Sequence, residues 1–285
     1  MWKTRKSPVK KDKRNLGFYP WRVKSAAFFD LDKTILGTTS SLVFTKPLYD
    51  QGLIKRADVV RSAYRQFLFT SAASDHNQME KMREYLSALV IGWDIAQLSS
   101  IIEDSLNDVI TPTIHAEAAA LIDHHHAAGR AVVIVSASGS EIVRPVARLL
   151  GADDVIATEL ETFNGKYTGA IHFYAYGDNK ALAMREYAHK HHIDLSKSYA
   201  YSDSVTDLPM LEVVGKPSAV NPDAALREVA TERGWPVLIF EKPMALRRPI
   251  LDNPEQRKKA AITAGIVAVL LTFFFRSRSK RKRAM

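Results

Sequence analysis

Residues Ala26–Thr34 read Ala-Ala-Phe-Phe-Asp-Leu-Asp-Lys-Thr, four apolar residues that lead directly into two carboxylates. The apolar run predicts a buried strand, and side chains two residues apart on an extended chain face the same way. Asp30 and Asp32 are therefore expected to emerge together at the carboxyl end of the strand, the edge at which open α/β sheets bind ligands. Converging carboxylates repel each other unless a cation lies between them, and Mg²⁺ is the ordinary solution. For the pair alone, a solvated Asp-x-Asp turn is the simpler alternative.

The rest of the chain alternates short apolar runs with helical patterns, which predicts an α/β fold on an open, mostly parallel sheet. Further strands are expected at residues 131–135, 155–158, 199–201, 218–220 and 237–240. A helix is expected from Pro112, with Thr111 as its N-cap. Asn164-Gly165 predicts a two-residue hairpin turn that departs from the parallel sheet.

A helical insertion is predicted between the first strand and Thr111. The intervening sequence shows apolar residues at helical spacings and no convincing strand. Asp94, with Gln97 three residues later, resembles a capping box for one of its helices. We therefore expect an α/β core at residues 25–36 and 111–245, and a helical cap domain at residues 37–110.

The composition limits the class of protein. Of 285 residues, 46% are hydrophobic and 25% are charged, as in ordinary globular proteins. These proportions exclude global disorder, a collagen-like fibre and a many-helix membrane protein. The chain contains no cysteine, which excludes a disulfide framework, a thiolate nucleophile and cysteine-ligated zinc.

Positive charge is concentrated at the two ends. Residues 1–24 carry nine Lys or Arg and one acid, a net +8, and residues 256–285 carry nine Lys or Arg and no acid, a net +9. Since the whole chain carries +9, residues 25–255 carry +9 − 8 − 9 = −8. For the basic N-terminal arm, residues 1–24, a solvated arm and attraction to anionic lipid are both open, and nucleic acid is the least favoured partner.

Residues 260–275 form a sixteen-residue stretch without a charge, between Arg257–Lys259 and the basic tail at residues 276–285. Since long basic side chains can extend a short apolar span, this pattern predicts a single transmembrane segment after a linker at residues 246–259. A core helix and an interfacial helix are the alternatives, and the lack of a polar face argues against the second. No apolar stretch follows the first cations, so no secretory signal is expected. The body is therefore predicted to be cytoplasmic and anchored to the cell membrane.

Three later segments repeat the pattern of a strand end or helix start that carries a polar side chain. They are Val133-Ile134-Val135-Ser136, Gly177-Asp178-Asn179-Lys180 and Tyr201-Ser202-Asp203-Ser204-Val205-Thr206-Asp207. Together with Phe29-Asp30-Leu31-Asp32-Lys33-Thr34, they resemble, in order, the four motifs of the haloacid dehalogenase-like phosphatases. The helical insertion resembles subclass IB, the branch that contains phosphoserine phosphatase. This resemblance spans residues 25–220 and implies a doubly wound, Rossmann-like core.

The chemistry of a phosphomonoesterase assigns roles to these residues. Asp30 can attack phosphorus and form an aspartyl-phosphate, and Asp32 can protonate the leaving oxygen and then deprotonate water. Ser136 can donate a hydrogen bond to a phosphoryl oxygen, and Lys180 supplies a fixed cation that keeps the nucleophile ionised.

The resemblance further implies a metal site. The carboxylates of Asp30 and Asp203 and the backbone carbonyl of Asp32 would hold Mg²⁺, and Asp207 would orient ligands or metal-bound water. The expected protein is a membrane-tethered, Mg²⁺-dependent phosphomonoester hydrolase. A non-catalytic membrane or nucleic-acid adaptor on the same fold is the alternative from another class, and an adaptor needs none of these residues.

Two departures from the branch bear on the substrate. Phosphoserine phosphatases carry an acidic residue shortly after the first motif, whereas this stretch reads Gly37-Thr38-Thr39-Ser40. Their double glycine after the second motif is replaced within Ala137-Ser138-Gly139. These changes weigh against phosphoserine, although phosphoserine or another small metabolite stays open. The predicted anchor and the basic ends favour a lipid phosphomonoester as substrate and anionic membrane lipid as partner.

Consecutive histidines at positions 124–126 point about 100° apart on a helix and do not converge on one metal ion. They are interpreted as a polar helix end, and His189, His191 and His192 as the solvated end of another helix.

Overall fold

The sheet is built around β1 (Ala26–Phe29), whose four residues are completely buried. The computed structural model describes residues 24–54 and 87–241. Parallel strands β2 (Ala131–Gly139) and β5 (Tyr199–Ser202) flank β1. The other described strands are β3 (Asp154–Phe163), β4 (Lys166–Phe173), β6 (Lys216–Val220) and β7 (Val237–Leu238). Their order is β4-β3-β2-β1-β5-β6-β7, with every pair parallel except β3 and β4.

Helices cover both faces of this sheet. The described helices are α1 (Ser40–Asp50), α2 (Ile95–Val109), α3 (Ala116–Ala127), α4 (Ser140–Leu150), α5 (Asp178–His191), α6 (Leu208–Glu212) and α7 (Ala224–Glu232). Phe29 packs in a cluster with Ile122 of α3 and Val146 of α4. Its neighbour Phe28 packs with Met184 of α5 and Leu226 of α7 on the other face. Because adjacent residues of a strand face opposite ways, β1 supplies both cores. The predicted doubly wound α/β class is confirmed.

The predicted hairpin is confirmed at Asn164-Gly165. Both residues have positive φ, 49° and 77°, as a type I′ turn between twisted strands requires. β3 begins beside β2 and continues into its antiparallel pairing with β4. β4 also contacts the segment before α2, because the Gly92 amide donates to the Tyr167 carbonyl at 2.8 Å and the Tyr167 amide to the Trp93 carbonyl at 3.1 Å. The hairpin thus supports the chain where it enters α2.

The helix predicted from Pro112 begins later than expected. Thr111–Thr113 form a single 3-10 turn, and α3 begins after His115, whose extended backbone separates the two. Pro112 fits this turn as it would fit the start of a helix. Its fixed φ suits both structures, and neither needs a hydrogen bond from its backbone nitrogen. By contrast, Asp94 caps α2 as predicted and accepts a hydrogen bond from the Gln97 amide at 3.0 Å.

Residues 124–126 lie in the last turn of α3, in line with their interpretation as a polar helix end, but His125 is buried. This residue lies three positions after the buried Ile122, on the face of α3 that packs against the sheet, and it is 1% exposed. Arg130 donates to its Nδ1 at 2.8 Å, so Nε2 carries the proton and donates to the Tyr201 hydroxyl at 2.9 Å. Burial, followed by the nearby Arg130, lowers the pKa of His125 to about 4.

Several sequence predictions concern residues outside the described part. These are the basic arm up to residue 23, residues 55–86 of the predicted cap, and the linker, apolar segment and basic tail after residue 245. Within residues 24–54 and 87–241, no helix has the length and apolar character needed to cross a membrane. The domain boundaries and the transmembrane segment stay predictions.

The burial of neutral His125 predicts a loss of stability in mild acid. A histidine with a folded pKa of about 4 binds a proton more readily in the unfolded chain, where its pKa is 6.5. The contribution of neutral His125 to stability is therefore fully present above its unfolded pKa of 6.5, and it is lost as the pH falls towards 4. Between about pH 7 and pH 5 this residue should cost about 2 kcal/mol of unfolding free energy.

Denaturant unfolding of wild type and His125→Gln across this range measures that difference. The His125→Gln variant should lose less unfolding free energy on acidification than wild type. His189→Gln, at an exposed position, is the control and should lose as much as wild type. Equal slopes for wild type and His125→Gln would contradict the assignment of His125 as a buried neutral group.

Candidate active site

The sheet brings the predicted site residues to one edge. Asp30 follows β1 directly, and its amide donates to the Tyr201 carbonyl of β5 at 2.9 Å. Ser136 lies in β2 and Asp203 follows β5, two residues beyond positions that pair with Phe29. Because these strands are parallel, all three side chains reach the same end of the sheet. The structure thus assembles three of the four motifs through strand register alone.

Lys180 supplies the remaining motif, the third in chain order, from the first turn of α5, and it is buried between two carboxylates. Its Nζ lies 2.7 Å from Asp30 Oδ1 and 2.8 Å from Asp207 Oδ2. The side chains of all three residues are at least nine-tenths buried. Burial alone would lower the pKa of Lys180, but the two carboxylates outweigh it and raise that pKa above its ordinary value. Lys180 is therefore a protonated, fixed cation.

Thr34 connects Asp30 to Asp203, the other carboxylate of the predicted metal site. Its hydroxyl lies 3.2 Å from Asp30 Oδ2 and 3.3 Å from Asp203 Oδ1. Burial and then the carboxylate of Asp207 raise the pKa of Asp203 to about 7. Burial also raises the pKa of Asp30 well above its ordinary value, against the opposing effect of Lys180. Three carboxyl groups, of Asp30, Asp203 and Asp207, thus lie around one buried ammonium, which neutralises only one of them when all are ionised.

This charge surplus provides a test of the predicted Mg²⁺ site, and the residues fit. Asp30 and Asp203 present carboxylate oxygens to one shared hydroxyl, and oxygen ligands are those that Mg²⁺ prefers. Among the described residues, no three His, Cys, Asp or Glu side chains form a metal cage. The predicted set does not need one, because its third ligand is the Asp32 carbonyl. A divalent cation held there would relieve the repulsion between the carboxylates.

Ser136 and Asp32 have separate environments. Ser136 is buried, and its Oγ accepts the Ser138 amide at 3.1 Å, which leaves its own proton available to a phosphoryl oxygen. Asp32 accepts from the Ser40 amide at 2.6 Å and from the Ser138 hydroxyl at 2.8 Å. The nucleophile candidate is thus held by a cation, whereas the acid–base candidate is held by neutral donors.

The sequence did not indicate every residue that shapes the site. Ser202 donates to Asp207 Oδ2 at 2.7 Å and so fixes the second carboxylate partner of Lys180. Ser202 lies within the fourth motif, yet nothing in the local sequence pattern shows which way its side chain points. Ser40 and Ser138 lie 98 positions apart, and only the fold brings their hydroxyls to 2.9 Å.

Residues 27–212 match the haloacid dehalogenase-like hydrolase family, and the chain belongs to that family. The match begins in β1 and ends at the last residue of α6, so it includes every motif residue described above. The phosphoserine phosphatase-like branch is also confirmed by a relative of that name. The fold, the buried carboxylate–lysine arrangement and this membership define a phosphatase of the family.

Particular relatives extend over most of this chain. It is 51% identical over 255 residues to an "Inhibition of morphological differentiation protein" of Streptomyces azureus, with 86% of this chain and 92% of the relative covered. It is 32% identical over 223 residues to a phosphoserine phosphatase of Mycobacterium tuberculosis, with coverage of 78% and 72%. A solved structure of a Bordetella pertussis protein of unknown function is 30% identical, with a TM-score of 0.68, and covers 76% of this chain and 99% of that one.

Removal of the Lys180 charge is expected to destabilise the fold. Lys180→Met keeps most of the side-chain volume but leaves two buried carboxylates without their cation, which should cost about 3–5 kcal/mol. Denaturant unfolding measures this loss, and Lys197→Met, an exposed lysine, is the matched control. A Lys180→Met protein as stable as wild type would show that the buried triad is not a structural element.

Proposed function

We propose that this phosphatase hydrolyses phosphomonoesters through a covalent aspartyl-phosphate on Asp30. The observation that carries the proposal is the buried ammonium of Lys180, 2.7 Å from Asp30 Oδ1 and at the edge where Ser136 also lies. The ammonium orients the carboxylate and opposes the rise in pKa that burial causes, so it favours the ionised form that a nucleophile needs. A lysine and a neutral hydroxyl donor are also suited to phosphoryl oxygens. An adaptor would have no use for a buried charge arrangement of this cost.

The proposed reaction consists of two displacements at phosphorus. In the first, an Asp30 oxygen forms a bond to phosphorus while the bond to the leaving oxygen breaks, and Asp32 gives that oxygen a proton. In the second, Asp32 takes a proton from water as the water oxygen bonds to phosphorus. The Asp30–phosphorus bond then breaks, which releases inorganic phosphate and restores both carboxyl groups to their starting states.

Mg²⁺ is proposed as the cofactor, held by Asp30, Asp203 and the Asp32 carbonyl. When bound, it would neutralise negative charge on the phosphoryl group. Asp207 would act on this site through its buried contact with Lys180. The surplus of carboxylates around one ammonium supports this proposal.

A panel of phosphomonoesters, assayed with Mg²⁺, tests the proposed activity. Asp30→Asn keeps the shape of the side chain but removes the nucleophile, so turnover should fall at least about 1,000-fold on every substrate that wild type hydrolyses. Asp104→Asn, on the exposed face of α2, is the matched control and should retain wild-type turnover. Turnover of Asp30→Asn within about tenfold of wild type would exclude the aspartyl-phosphate.

The metal proposal is tested separately by chelation. EDTA should abolish turnover and added Mg²⁺ should restore it, whereas Ca²⁺ should restore it poorly because its shell of about 6–8 oxygens alters the geometry of the nucleophile. Asp203→Asn should raise the Mg²⁺ concentration for half-maximal activity by at least about tenfold, because one charged ligand is lost. Full turnover in excess chelator would exclude the metal.

The substrate class follows from the proposed location. We propose a single-pass anchor at residues 260–275, with the catalytic domain in the cytoplasm and the site close to anionic membrane lipid. The sixteen uncharged residues and the flanking cations support this proposal. A lipid phosphomonoester is then the proposed substrate. The relative named phosphoserine phosphatase favours a small metabolite as the second candidate.

Extraction and truncation tests distinguish these substrates. High salt should leave the full-length protein in the membrane fraction, because inserted segments survive screening that removes adsorbed proteins. A chain that ends at Asn253 should keep its rate on a soluble phosphomonoester but lose rate on lipid phosphate in vesicles, because the anchor raises its effective concentration there. Complete release by salt would exclude the transmembrane segment. Unchanged vesicle activity after truncation would favour the small metabolite.

A further inference from the structure

Both carboxylate oxygens of Asp32 are occupied by neutral hydrogen-bond donors. The Ser40 amide donates to Oδ1 at 2.6 Å, and the Ser138 hydroxyl donates to Oδ2 at 2.8 Å. The two donors come from different parts of the fold, since Ser40 is the first residue of α1 and Ser138 lies near the end of β2. Their approach to opposite oxygens fixes both the position and the rotation of the carboxylate.

The direction of the hydrogen bonds follows from the number of protons. Ser138 has one hydroxyl proton, which it uses to donate a hydrogen bond to Asp32. The 2.9 Å contact between the Ser40 and Ser138 hydroxyls must therefore be donated by Ser40. Ser40 is completely buried, so this donor does not exchange readily with water. Ser138 is thus oriented by Ser40 and in turn orients Asp32.

We infer that Ser138 is a positioning residue for the acid–base group, an inference that rests on the proposed function. Its hydroxyl holds the Asp32 carboxylate where a leaving oxygen can receive a proton. Because the donors are neutral, they fix the side chain without the counter-charge that Lys180 gives Asp30. Ser138 stands where phosphoserine phosphatases have their double glycine, and its hydroxyl makes a contact with Asp32 that a glycine cannot make.

The same arrangement connects the acid–base group to the start of the inserted segment. Ser40 contributes its amide to Asp32 and its hydroxyl to Ser138, and it is the first residue of α1. The position of Asp32 therefore depends on where α1 begins. Ser136, the candidate phosphate-binding residue, contacts Ser138 through the Ser138 backbone amide and not through its side chain. A side-chain substitution at Ser138 retains that amide.

The test compares Ser138→Ala on two substrates that differ in their need for an acid. An alkyl phosphate needs protonation of its leaving oxygen, whereas p-nitrophenyl phosphate has a good leaving group. Ser138→Ala should lower kcat on the alkyl phosphate about tenfold or more and on p-nitrophenyl phosphate less than about threefold, with KM nearly unchanged on both. Ser138→Thr keeps the hydroxyl and should retain most of the wild-type kcat.

Two further measurements keep the inference testable if Ser138→Ala folds poorly. Ser40→Ala removes the hydroxyl that orients Ser138 and should give a smaller loss of kcat, again larger on the alkyl phosphate than on p-nitrophenyl phosphate. Ser41→Ala, an exposed neighbour on α1, is its matched control and should retain wild-type kinetics. In an Asp32→Asn background, Ser138→Ala should have little added effect, because the group that it positions is already absent.

The outcomes separate this inference from the proposed function. If wild type hydrolyses no phosphomonoester of the panel, these two included, the proposed function fails. If wild type is active and Asp32→Asn shows the preference for a good leaving group, the function stands. An equal loss on both substrates in Ser138→Ala, or an unchanged kcat on the alkyl phosphate, would then overturn the positioning role alone.

Discussion

The buried ion pairs of Lys180 with Asp30 and Asp207 are the interaction on which the site depends. The ammonium joins the end of β1, the first turn of α5 and the turn after β5, at 2.7 and 2.8 Å from its partners. Charges buried to this degree are costly unless each is paired, so loss of one member leaves the others uncompensated. The strand order satisfies this requirement, because β5 lies beside β1 and brings Asp207 to the ammonium that Asp30 contacts.

The structure gives two aspartates of one short motif different surroundings. Asp30 is buried and contacts a cation, whereas Asp32 is partly exposed and accepts hydrogen bonds from two neutral donors. Nucleophilic attack needs a carboxylate that stays ionised, and proton transfer needs a carboxyl that both gives and takes a proton. The proposed division of labour therefore follows from the contacts of each side chain and not from the residue type, which is the same.

The sequence predicted what local chemistry determines. The apolar run before two acids predicted β1 and the place of Asp30 at its end. Asn164-Gly165 predicted the hairpin, because these residue types tolerate the positive φ that a type I′ turn requires. It could not predict contacts that tertiary packing makes. The burial of His125 could not be predicted, because three consecutive histidines give no sign of which one faces the sheet. Ser138 was recognised as a departure from glycine, but its contact with Asp32 depends on the meeting of β2 with the segment after β1.

The most direct test of the central claim is to trap the intermediate on Asp30. Wild type should be mixed with a phosphomonoester that it hydrolyses, quenched in acid and digested, and the peptides should be analysed by mass spectrometry. An acyl phosphate is stable enough in acid to be detected, and the account predicts one on the peptide that contains Asp30, absent from Asp30→Asn. Steady turnover with no phosphorylated peptide under rapid quench, or phosphate attached to another residue, would contradict the account.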